Sequence, residues 1–130
     1  MTSPNTRYSA NHLWFAHEGD EVRVGITDKI ARALTLVEAV FLPEPSSHVT
    51  EGHELARIDS QKAAFEIAAP FDLDVVTVNE ELTADPLLVR LEPRGRGWLL
   101  TARLAPGHWA GLLDHAAYTQ VAERESNATK

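Results

Sequence analysis

Cysteine is absent from the 130 residues, and with it go the disulfide framework, the thiolate metal centre and the cysteine nucleophile. Any redox-active sulfur has to arrive on a cofactor. Cations are also scarce: 12 basic residues face 19 acidic ones, for a formal charge of -7. The basic residues form no stripe able to neutralise phosphates, which argues against nucleic acid or an anionic membrane as partner. The opening residues 1–10 lack the apolar centre of a signal sequence, and no later stretch nears the roughly 20 apolar residues of a bilayer span. A cytoplasmic location is therefore expected. Glycine-rich phosphate loops, nucleophile elbows and paired-histidine zinc motifs are missing too, and Gly95-Arg96-Gly97-Trp98 is too short and too late to cradle a dinucleotide. Of the six histidines, His12, His17, His48, His53, His108 and His115, the last two could share one helical face. Without thiolates or paired carboxylates beside them they make a poor metal site.

What is present reads as one β-rich domain over 1–130, with a core over about 8–104, a C-terminal helix over about 108–124 and flexible tails. Residues 21–26 alternate polar and apolar as a half-buried strand does. Thr27 or Asp28 can start a short helix on which Ile30, Ala33, Leu34 and Val37 recur, fraying before the apolar run that begins at Val37. Residues 36–42 turn β-like until Pro43 and Pro45 break them. Two short runs, 55–59 and 63–67, flank Ser60-Gln61-Lys62 as a hairpin, and 75–78 and 97–104 read as further strands. Trp109, Leu112, Leu113, Ala116 and Val121 fall on one face of the last helix, and Trp14, Trp98 and Trp109 are expected as core anchors. Many short strands with few helices suggest a sandwich or barrel.

Only Lys29, Lys62 and Lys130 are lysines, and Lys62 alone sits at a hairpin tip. By itself a lysine in a turn is most simply a solvated turn residue. A tip is also where a modifying enzyme reaches an amine most easily, held out in a fixed direction by two paired strands.

The segment 51–70 resembles lipoyl-attachment domains, whose core of an acidic residue, serine, any residue, lysine and alanine stands here as Asp59-Ser60-Gln61-Lys62-Ala63. The methionines that flank the lysine of biotin-carrier domains are missing. His12-Leu13-Trp14, Gly25-Ile26-Thr27-Asp28, Phe41-Leu42-Pro43, Val76-Thr77-Val78-Asn79-Glu80, Asp85-Pro86 and Gly95 to Trp98 fall in the order found in the H proteins of the glycine cleavage system. The resemblance covers nearly the whole chain. It implies a mainly β fold, the barrel-sandwich hybrid of lipoyl and biotinyl carriers, with a short helix near residue 30 and a C-terminal helix. It implies N6-lipoyllysine at Lys62, set within Asp59, Ser60 and Ala63, with Asn11, Leu13 and Glu66 facing the cargo. The chain would then be a carrier, not an enzyme. Lipoate would be attached by a lipoylating enzyme. The arm would shuttle an aminomethyl intermediate among a pyridoxal-phosphate glycine decarboxylase, an aminomethyltransferase and dihydrolipoyl dehydrogenase.

Several positions depart from that family. Leu13 stands where a carboxylate is usual and Asn11 where serine is common, while Glu66 keeps its acidic character. Leu73 and Thr35 occupy turn positions that glycine usually fills, so both turns are expected to differ locally. Arg90, Arg94 and Arg96 make one segment basic within an acidic chain, through a different docking partner or through drift on a solvated loop. Leu13 and the arginines leave a lipoate-binding carrier of a heterodisulfide-reductase-like sulfur-oxidation pathway as an alternative. A further alternative is an unmodified H-protein-like binding module.

Overall fold

In the structure, a computed structural model that describes residues 6–128, alternation of inward and outward side chains builds most of the strands. Strands β1 (Thr6–Tyr8), β2 (Leu13–Glu18) and β3 (Glu21–Ile26) form an antiparallel meander. In β3, Val22, Val24 and Ile26 point inward while Glu21 and Arg23 stay nearer solvent, the period-2 pattern read from the sequence. Helix α1 (Asp28–Ala33) follows, burying Ile30 and Ala31. Then come β4 (Val37–Phe41), β5 (His48–Val49), β6 (Glu54–Ser60), β7 (Ala64–Ala68) and β8 (Leu73–Val78). Two single-turn helices, α2 (Glu81–Ala84) and α3 (Leu88–Leu91), follow β8, and β9 (Leu100–Arg103) completes the sheet.

Two antiparallel sheets result, six strands in the order β1-β2-β3-β9-β8-β5 and three in the order β4-β6-β7. Between them lie Leu13, Phe15, Ile26, Leu55, Ile58, Leu73 and Leu100, each no more than 1% exposed. Each such side chain contributes about 1.5–3 kcal/mol of burial. The architecture is mainly β, of the barrel-sandwich type. A smaller cluster of Tyr8, Trp14 and Tyr118, flanked by Trp98 and Leu113, sits on the opposite face of β2.

The single helix expected over about 108–124 is two: α4 (Pro106–Ala110) and α5 (His115–Ala128). Between them Leu113 pairs with Tyr8 across two backbone hydrogen bonds, Tyr8 N–H to Leu113 O at 2.8 Å and Leu113 N–H to Tyr8 O at 2.7 Å. A strand-like pairing cannot continue a helix. Asp114 then restarts one, its carboxylate accepting from Ala117 N–H at 2.8 Å as an N-cap does. His108 and His115 consequently stand on different helices. His108 stacks on Phe71 and His115 meets the edge of Tyr8. The two altered turns resolve differently from each other. Leu73 needs no left-handed backbone, being a buried member of β8. The loop after α1 takes its left-handed residue at Leu36, φ 47°, one position past Thr35.

Candidate lipoyl hairpin and adjoining cleft

Strands β6 and β7 pair from Glu54–Ala68 up to Asp59–Ala64, so four residues are left to turn the chain. Ser60 closes that turn twice, donating from its N–H (2.9 Å) and its hydroxyl (3.0 Å) to Ala63 O. Gln61 N–H donates to Leu36 O at 3.2 Å, which fastens the tip to the loop before β4. Lys62 is exposed at this twice-anchored tip. Asp59 lies one residue below the turn, 3.1 Å from Arg57 Nε in an ion pair that lacks hydrogen-bond alignment. Asp59, Ser60, Lys62 and Ala63 sit together at the tip, where Ser60 makes both of the closing bonds.

Along β7 the side chains alternate: Phe65 and Ile67 turn inward while Glu66 faces out. Glu66 lies on β7, four residues beyond Lys62 and two past the start of the strand. There it borders a hollow of about 380 Å3 whose other walls include Asn11, His12, Ile30, Phe65 and Glu125. Asn11 ties the two sheets together at this point, donating from its amide to Ala68 O at 2.8 Å. Its side-chain oxygen is in close contact with the Ser9 hydroxyl, which in turn accepts from Leu13 N–H.

Leu13, expected among the cargo-facing residues, does not reach this hollow. Its side chain is fully buried in the main core, because strand alternation at β2 sends Leu13 and Phe15 to one face and Trp14 to the other. Beside Asn11, this segment presents His12 to the hollow, held at φ 71°. Its Nε2 lies 2.8 Å from Glu125 Oε1 and its Nδ1 2.9 Å from the Tyr118 hydroxyl, itself 2.7 Å from Thr27 Oγ1. With the imidazole neutral, the carboxylate can only accept, so Nε2 carries the proton and Nδ1 accepts from Tyr118. Burial pushes the Tyr118 phenol above its ordinary value of 10.0, with the Thr27 hydrogen bond opposing, which keeps it protonated as a donor. This chain, spanning residues about a hundred apart, was invisible to periodicity. The sequence signal nearest to it is Asp114, whose capping role sets the phase of α5.

The hollow could seat a long acyl arm: Ile30, Phe65 and Ile67 give apolar wall, and Glu66 and Glu125 give carboxylates suited to a cationic end group. Among the described residues no three His, Cys, Asp or Glu side chains gather as a metal ion would need. Nor, among the described residues, is any helix long and apolar enough to cross a membrane.

The family model for the glycine cleavage H-protein matches residues 6–125. The chain belongs to the glycine cleavage H-protein family. Curated glycine cleavage system H proteins from Xanthobacter autotrophicus and Deinococcus deserti are 42% and 41% identical to it over 119 residues, 91% of this chain and 94% and 96% of theirs. The crystal structure of a glycine cleavage system H protein from Mycobacterium marinum superposes with a TM-score of 0.76 at 29% identity, over 92% of this chain and 97% of that one. H proteins are carriers, which agrees with a site made of one presented amine and a neighbouring cleft.

The arginines that depart from the H-protein pattern all have partners within the chain. Arg90 Nε donates to Leu34 O at 2.9 Å, Arg94 donates to the Tyr8 hydroxyl at 3.2 Å and lies over its ring, and Arg96 pairs with Glu81 at 3.2 Å.

Proposed function

We propose that this chain is the lipoyl carrier of a glycine cleavage system, with lipoate joined through an amide to Lys62 Nζ. The observation that carries the reading is the exposed Lys62 at a hairpin tip closed by both Ser60 bonds to Ala63 O and tethered by Gln61 to Leu36. When bound, lipoate supplies the dithiol chemistry and the thiol for cargo that a cysteine-free chain cannot provide. The chain's own residues hold and present. Asp59 and Ser60 set the turn that a lipoylating enzyme recognises, and the paired strands aim the amine outward. Glu66 offers a carboxylate to a cationic amine cargo drawn back along β7, and Asn11 keeps the wall opposite in place. Tethering replaces diffusion between the decarboxylase, the aminomethyltransferase and the dihydrolipoyl dehydrogenase by a high local concentration.

The sulfur-carrying alternative drew on Leu13 and the arginines. Leu13 serves the core, and the arginines, each with an internal partner, do not distinguish a sulfur-oxidation enzyme from a glycine cleavage one, so neither feature favours it.

Co-expression with a lipoylating enzyme followed by intact-mass measurement tests the reading. A lipoyl mass increase is expected on the wild-type chain and not on Lys62→Arg, and the lipoylated chain should support glycine–bicarbonate exchange with the partner decarboxylase. An unmodified wild-type chain overturns the proposal in favour of the unmodified binding module. A lipoylated chain inactive in exchange overturns its glycine cleavage part.

A further inference from the structure

Although the chain carries a net charge of -7, cations gather round α1 and α3. Arg32 and Arg90 line a shallow groove of about 290 Å3 with Leu91 and Pro93, and Asp28 stands at its edge. Arg32 also borders a larger hollow of about 940 Å3 whose walls carry the cations Lys29 and Arg94 together with the carboxylates Asp28 and Glu123. Beside these charges lie large apolar side chains that the fold leaves outside, Leu91 at 59% exposed and Leu36 at 64%. Phe41, also exposed, is capped by the Arg57 guanidinium 4.3 Å above its ring. Two hydrogen bonds join the patch to the lipoyl hairpin: Arg90 Nε to Leu34 O, and Gln61 N–H to Leu36 O. The surface thus runs from the α1–α3 groove to the neighbour of Lys62.

We propose that this face is the docking surface for an enzyme that takes the arm, and that the partner presents an acidic rim round an apolar socket. The inference rests on the lipoylation of Lys62. An arm of fixed length enters a partner's active site only when the surface at its root is pressed against that partner, so Leu36, next to the tip, lies in the interface. Apolar side chains ringed by cations are what a protein interface uses, the leucines giving buried area and the charges giving orientation. A positive face on an acidic chain repels cationic partners and draws an acidic one to the Lys62 end.

The test uses the full lipoylated chain as substrate for the partner decarboxylase and for dihydrolipoyl dehydrogenase, in steady state at low and high salt. Arg32→Glu is expected to raise KM about three- to tenfold with at least one of them, leave kcat unchanged and flatten the salt dependence. Leu36→Asn, a residue tolerant of the left-handed backbone there, should raise KM without changing the salt response. Unchanged KM for both variants with both enzymes overturns the docking surface while leaving the carrier reading intact. A wild-type chain that gains no lipoyl mass overturns both.

Discussion

Replacing Tyr118 by phenylalanine removes one oxygen and leaves the aromatic packing in place, which makes its cost calculable. The ring still stacks on Tyr8, centroids 4.8 Å apart and planes at 15°, so the apolar contribution is nearly unchanged. What goes are the bonds to His12 Nδ1 and Thr27 Oγ1, each worth a net ~1 kcal/mol. Thr27 is only 4% exposed, so its hydroxyl loses a partner that water cannot easily replace, whereas the His12 ring, 11% exposed, can recruit some. The sum is about 2 kcal/mol, within a range of about 1–3. For a domain of this size that lowers Tm by about 8 °C, and the urea midpoint should fall with an unchanged m-value. The alkaline limb should change too. Because the folded pKa of Tyr118 is raised above 10.0, its contribution is fully present below pH 10 and is lost as pH rises through the folded value. The phenylalanine variant lacks that part of the loss. A destabilisation under about 0.5 kcal/mol would refute the reasoning, since it would mean that the two hydrogen bonds contribute nothing net.

Gly25→Ala should cost more than about 2 kcal/mol, because an added Cβ would lie 2.5 Å from Trp14 Cζ2 in an overpacked site. Trp14 cannot retreat while Nε1 donates to Pro93 O at 3.0 Å, and an equal penalty measured in a Trp14→Leu background would sink this explanation. His48 should titrate above 6.5 by NMR, chiefly through its hydrogen bond to Asp74 with the Asp74 and Asp72 charges assisting. The stability it adds is fully present below pH 6.5 and disappears as pH rises through the folded pKa. Asp74→Asn should bring the midpoint down, and an unmoved midpoint would contradict the pairing.

The parts of the fold legible in the sequence are those whose signal is local. The alternation of residues 21–26 and the 54–68 hairpin were both readable, since one side of each strand faces the core and the other faces out. β2 hid because Leu13-Trp14-Phe15 is apolar throughout: Leu13 and Phe15 enter the main core while Trp14 fills the second cluster. A strand buried on both faces shows no alternation. The helix pattern over 109–121 was real but ran across a break, because side-chain periodicity does not reveal that Leu113 spends its backbone groups on Tyr8. Lys62 could be placed at a tip from the sequence, and the family motifs made it a site. The cleft depends instead on contacts such as Glu125 with His12, 113 residues apart, which no short window contains.

The pairing of Leu113 with Tyr8 also bears on how the molecule behaves in a crowd. It occupies the outer backbone groups of Tyr8 in β1, the first strand of the six-stranded sheet, while the strand at the opposite margin, β5, is only two residues long. A long bare margin would invite strand addition by a second copy or by a client polypeptide, and such a bond ladder releases slowly. A molecule that must visit several enzymes in succession needs brief encounters, and closing the margin of this sheet with its own chain removes one place where a visitor could add a strand and stay.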